Sequence, residues 1–118
     1  MPRSQEQRRS LRIQPYVAPC RLTIDPRPLN GFVVELSVHG ARVSCEEEPP
    51  PVGTHVVLEV RLGNQIAFSR ISSEVKWVKW KREGRHDFGL TFTEVTPHDQ
   101  EVLEGIVEEF KRRASELV

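Results

Sequence analysis

From about residue 19 to residue 92, apolar residues recur at every second position, in short runs cut by glycine and proline. No other feature constrains the fold as much, because a period of two turns alternate side chains to opposite faces of a strand. Cys20, Leu22 and Ile24 alternate with Arg21, Thr23 and Asp25, and Pro26 and Pro28 end the run. Asn30-Gly31 is a turn signal. After it, Phe32, Val34 and Leu36 are expected on one face, with Val33, Glu35 and Ser37 on the other. Gly40 breaks this run, and alternation resumes over residues 41–45. Residues 46–53 hold three consecutive prolines and read as a loop that cannot join a ladder. Val56, Leu58, Val60 and Leu62 form the next run, and Gly63-Asn64 turns the chain. A long strand is expected from about Ile66 to Lys81. Its apolar parity switches between Trp77 and Val78, which predicts a bulge or a strand covered on both faces. Residues 82–85 form the next turn, and Phe88, Leu90 and Phe92 alternate after it.

The period changes once, at Thr96-Pro97-His98-Asp99. Threonine suits a helix cap, proline the first helical position, and Asp99 the acidic place of a capping box. Leu103, Ile106, Val107, Phe110, Ala114 and Leu117 then lie on one helical stripe. Acids crowd the first half of this segment and Lys111, Arg112 and Arg113 its end, which complements the helix dipole. The chain thus reads as about six antiparallel strands followed by one helix, a mainly β architecture of the barrel or sandwich kind. Residues 1–14 are polar and aperiodic and read as a flexible arm. Residues 15–118 are the domain, with its helix over about 97–117. The helix is expected to cover an open end or edge of the barrel, with Trp80 packed beneath it. Trp77 falls in the inward register.

Composition removes several function classes. Among 118 residues, 17 basic side chains balance 17 acidic ones, so a general nucleic-acid surface is unsupported. Lys76-Trp77-Val78-Lys79-Trp80-Lys81 does interleave bases with aromatics, as stacking platforms do. The zero net charge and the inward register of Trp77 argue against that use. No apolar run is long enough to span a bilayer, and no apolar stretch follows the N-terminal charge. Cys20 and Cys45 sit at apolar strand positions and imply a reducing, cytoplasmic setting without disulfides. His39, His55, His86 and His98 lie on four different segments without ligand-like spacing, so neither a metal site nor an enzyme is expected.

Two segments can bind an anionic ligand. Arg8-Arg9-Ser10-Leu11-Arg12 clusters guanidiniums, which are planar, permanently charged, and able to fork two oxygens or stack on a purine. In Glu35-Leu36-Ser37-Val38-His39-Gly40, an acid and a hydroxyl share the outward face and can meet a purine edge, while glycine permits close backbone approach. Together these segments resemble the PilZ domain family, whose pattern is R-x-x-x-R followed by [D/N]-x-S-x-x-G. Arg8 and Arg12 match the first part, with Arg9 as an additional basic residue. Ser37 and Gly40 match the second, with Glu35 at the acidic position. Gly89-Leu90-Thr91-Phe92 resembles the closing strand of the family, and the likeness covers residues 8 to 95.

The resemblance implies a six-stranded antiparallel β-barrel that binds cyclic di-GMP. Arg8, Arg9 and Arg12 would wrap the ligand from the arm. Glu35, Ser37 and Gly40 would hold a guanine edge at the barrel surface. The implied role is a receptor that relays the messenger to a protein partner controlling motility or biofilm behaviour, as a monomer or weak homodimer, without cofactor. The family prefers Asp or Asn where this chain has Glu35, whose carboxylate reaches about an ångström further. Misplacing one charge-assisted bond costs about 1.5–3 kcal/mol, so Glu35→Asp is expected to tighten binding. The alternative is a PilZ-like adaptor that has lost the ligand and acts through protein contacts.

Overall fold

A computed structural model describes residues 17–24, 27–80 and 84–116. Six strands form: β1 (Ala18–Ile24), β2 (Arg27–Leu36), β3 (Gly40–Cys45), β4 (His55–Val60), β5 (Ser69–Trp80) and β6 (His86–Glu94). One helix, α1 (Pro97–Glu116), follows. All neighbouring strands are antiparallel, and the sheet closes on itself in the order β1-β2-β3-β6-β5-β4. Closure leaves no free sheet edge, which suits strands with one apolar face. That face fills the interior: Leu22, Val33, Leu36, Leu58, Ile71, Val75 and Phe88 are fully buried.

The six-strand expectation holds, and several local readings change. Asn30-Gly31 is not a turn. Both residues lie inside β2, paired with Arg21 and Cys20. A Cβ on Gly31 would stand 2.7 Å from the carbonyl oxygen of Ser44, so the glycine serves close strand approach. The inward register of β2 also differs. Val33 is buried and Phe32 exposed, while Leu36 is buried again. A bulge between Val33 and Glu35 causes this change of parity, because Val33 pairs with Val43 and Glu35 with its neighbour Arg42. Along β5 the parity switch comes earlier than the apolar pattern suggests, between Val75 and Trp77. It turns Trp77 outward, so this indole is not core. Ile66, expected to open β5, is exposed in the preceding loop.

The helix covers one end of the barrel with its first half. The Thr96 hydroxyl accepts a hydrogen bond from the Asp99 amide at 3.1 Å, as an N-cap should. The Asp99 carboxylate turns to β5 and accepts from the buried Ser69 hydroxyl at 2.7 Å. Leu103 is fully buried, and Val102 and Ile106 pack against the same core. Residues from Lys111 to Ser115 are all exposed. Trp80 is not beneath the helix. It is 71% exposed and meets His86 edge to face, with ring centroids 4.2 Å apart.

Candidate ligand-binding cleft

The turn between β2 and β3 is built by Ser37. Its side chain is buried at the end of β2 rather than displayed on an outward face. The Ser37 hydroxyl accepts from the amides of His39 and Gly40, each at 3.1 Å, and lies 3.3 Å from the Gly40 carbonyl as donor. The Ser37 amide donates to that carbonyl at 2.9 Å. A serine side chain that satisfies turn amides in this way fixes the loop without help from a regular ladder. Gly40 has a tertiary reason. A Cβ there would stand 2.1 Å from the Leu90 carbonyl oxygen, so only glycine lets the turn press against β6. The His39 carbonyl accepts from the Phe92 amide at 2.8 Å and completes that contact.

Beside this turn lies a cleft of about 280 Å³, lined in part by Glu35, Ser37, Gly40, Arg42, Lys76 and Trp77. Its floor is a single cross-strand row. Glu35 on β2 pairs with Arg42 on β3, Arg42 with Gly89 on β6, and Gly89 with Trp77 on β5. The bulges in β2 and β5 bring Glu35 and Trp77 into this row. Gly89 gives Trp77 its seat, since a Cβ there would stand 2.1 Å from the indole Nε1. Trp77 remains 41% exposed and lines the cleft.

Charge in the cleft is organised by Arg42. Its Nε donates to Glu35 Oε1 at 3.0 Å and its Nη1 to Asp87 Oδ2 at 2.6 Å. Asp87 is almost wholly buried, and Glu35 is largely so. Burial opposes the charge of Arg42, but the hydrogen bonds to Asp87 and Glu35 outweigh it and raise the guanidinium pKa further.

Of the expected site residues, the structure brings Glu35, Ser37 and Gly40 together at one rim of the cleft. Arg8, Arg9 and Arg12 lie outside the described residues. Sequence reasoning missed Arg42, Asp87 and Trp77. Arg42 follows Gly40 by two residues, and its role depends on register, which the apolar pattern misplaced in β2. Among the described residues, no three histidine, cysteine or acidic side chains gather as metal ligands. No helix among them is long and apolar enough to cross a membrane.

Comparison with known proteins places this cleft in context. No curated protein matches. Solved structures do, at low identity. The PilZ domain of YcgR from Escherichia coli with c-di-GMP superposes with a TM-score of 0.73 at 21% identity, over 93% of this chain and 95% of that one. YcgR from Escherichia coli in complex with c-di-GMP gives 0.74 at 20%, over 93% of this chain and 48% of that one. The Bacillus subtilis inhibitor of motility MotI/DgrA gives 0.72 at 15%, over 91% of this chain and 51% of that one. The chain therefore spans about half the length of those last two proteins. The family model described as PilZ domain matches residues 3–109, nearly the whole length, and the chain belongs to the PilZ domain family.

Proposed function

We propose that this protein is a cyclic di-GMP receptor that passes the messenger's signal to a protein partner. One observation carries the reading. Glu35, Ser37 and Gly40, which occupy the positions of the second family motif, line the same cleft as the partly exposed Trp77. A carboxylate accepts from the N–H groups of a guanine edge, and an indole face stacks on a purine. The arginines of the arm complete the chemistry. Arg8 and Arg12 supply permanent positive charge for the two phosphates, with Arg9 beside them. In this reading residues 1–14 order on the ligand, and the surface so formed is what the partner meets. The two structures of YcgR, solved with c-di-GMP, support the ligand class. The likeness to the Bacillus subtilis inhibitor of motility supports motility as the output. The role is one of binding rather than catalysis, exercised in the cytoplasm.

A second reading has its own observation. The Glu35 carboxylate stands where Asp or Asn is usual and already bridges to Arg42 at 3.0 Å. If that bridge excludes the ligand, the protein is an adaptor working through protein contacts alone.

Isothermal titration of the purified chain with cyclic di-GMP separates the two. Micromolar or tighter binding by the wild type, abolished by Arg8→Ala and by Arg12→Ala, is the expected result. Binding unaffected by Arg12→Ala removes the arm from the site. A folded wild type that shows no heat makes the protein an adaptor.

A further inference from the structure

The Glu35 bridge has a second consequence, which rests on the receptor reading and concerns how its cleft is held. Asp87 is a buried acid outside the family motif, and it does not line the cleft. Its place on β6 is two residues before Gly89, on the same face of the strand, and Gly89 is the residue paired with Arg42. Arg42 therefore lies between two carboxylates on neighbouring strands, with 3.0 Å to Glu35 and 2.6 Å to Asp87. The fork of a guanidinium fixes the directions of its N–H bonds, so anchoring one arm on Asp87 sets where the other presents itself to Glu35.

Length matters to this arrangement. Glu35 and Arg42 are direct partners across the β2–β3 ladder. Shortening the acid by one methylene withdraws the carboxylate by about 1.5 Å, one carbon–carbon bond. That separation breaks a hydrogen bond of 3.0 Å unless the backbone follows. A carboxylate has about four lone-pair sites, so accepting from Arg42 is compatible with accepting from a base edge as well.

We infer that Arg42, anchored by Asp87, is the positioning residue that holds the Glu35 carboxylate for guanine recognition, so that the longer acid and the arginine work as a matched pair. Glu35 is then no weakened version of a shorter acid. The expectation from the motif alone reverses: Glu35→Asp loosens binding, because the shorter carboxylate no longer reaches Arg42 and loses the group that positions it. Asp87, outside the lining of the cleft, becomes a determinant of base selectivity.

The test titrates the full chain with cyclic di-GMP and with the analogue in which hypoxanthine replaces guanine and the 2-amino group is missing. Wild type is compared with Glu35→Asp, Arg42→Lys and Asp87→Asn. Arg42→Lys keeps a cation beside the buried Asp87 while removing the fork, so the comparison does not hang on an Arg42→Ala protein that fails to fold. Urea unfolding confirms that every variant is folded under the titration conditions. Wild type should prefer the guanine form about tenfold. Each variant should lose at least tenfold in affinity for cyclic di-GMP and less than threefold for the analogue, so that the preference shrinks. Unchanged preference in Arg42→Lys and Asp87→Asn overturns the positioning role and leaves the receptor reading standing. Equal loss for both dinucleotides identifies a structural role and overturns it too. Tighter binding of cyclic di-GMP by Glu35→Asp overturns the matched pair. A wild type that binds neither dinucleotide removes the receptor reading, and the positioning role falls with it.

Discussion

Gly40 and Ser37 answer different physical demands within one short turn. Gly40 is required by space. Gly40→Ala forces a methyl against the Leu90 carbonyl, 2.1 Å away, and neither backbone can yield without disturbing β3–β6 pairing. Its expected cost is about 1–3 kcal/mol in urea unfolding, with loss of the cleft geometry. A midpoint equal to wild type would show that the turn adapts freely. Ser37 is required by hydrogen bonding, since it meets two amides that the tight turn leaves without ladder partners. Both residues were legible in the sequence as a motif. The reason for Gly40 was not, because it depends on β6, brought in from afar, whereas the bonds of Ser37 stay within its own turn. The cysteines behave as small hydrophobes, as their strand positions suggested. Burial pushes the Cys20 thiol up to about 12, with the neighbouring Cys45 adding to the shift. Burial, and then the charges of Glu47 and Asp87, push Cys45 up to about 11. Unfolded thiols ionise near about pH 8.5. Above that pH the native state holds protons that the unfolded state has lost. The thiol contribution to stability is therefore complete below about pH 8.5 and declines as pH rises toward the folded values. Neither thiol should react with a disulfide reagent at pH 8 until the protein unfolds. Rapid reaction of folded protein would refute this burial.

At the scale of elements, the strands followed from alternation, the bulge in β2 did not, and the bulge between Val75 and Trp77 in β5 did only in part. A bulge inserts one residue without changing the apolar or polar nature of its neighbours, so it leaves a weak trace in one sequence. In β2 that residue lies between Val33 and Glu35, and it moves the inward positions from the expected Phe32 to Val33. In β5 the trace is visible as a parity switch, but the apolar pattern sets it too late and puts Trp77 in the core. Trp77 and Val78 are both apolar yet both exposed, so apolarity alone misplaces the end of the inward run, which stops at Val75. The helix shows the reverse. Its cap, first proline and the start of its stripe were legible, because they are local in sequence, whereas Ala114 is exposed and Leu117 lies outside the described residues. What was not legible is that Asp99 leaves the capping box to accept from Ser69, thirty residues away. Asp99→Ala leaves a buried hydroxyl without this acceptor and detaches α1 from β5. The expected loss is about 1–3 kcal/mol, read as a lower urea midpoint. Cutting the chain after Phe110 should cost far less, since residues 111–115 are exposed. If the truncation proves as costly as Asp99→Ala, the distal turns of α1 contribute to the fold.

For the whole molecule, closure of the sheet is the deciding event. Six strands with one apolar face each must bury those faces, and closing the sheet does so around one interior. Leu58 stands in that interior, fully buried on β4 between β1 and β5. Leu58→Ala should therefore cost about 2–5 kcal/mol in unfolding free energy. A cost below about 1 kcal/mol would mean that the barrel collapses around the gap. Closure also explains the site. Glu35, Arg42, Gly89 and Trp77 come from four strands in two distant parts of the chain, yet they form one cross-strand row. Alternation, punctuation and the change of period are local properties. By themselves they determined the strands, the helix and the family motif, because a side chain's face follows from its neighbours along the chain. Register, bulge position and the partners of Arg42 were decided only by the tertiary structure. They depend on which residues meet across a ladder, and that is settled by packing the shared interior rather than by any one segment.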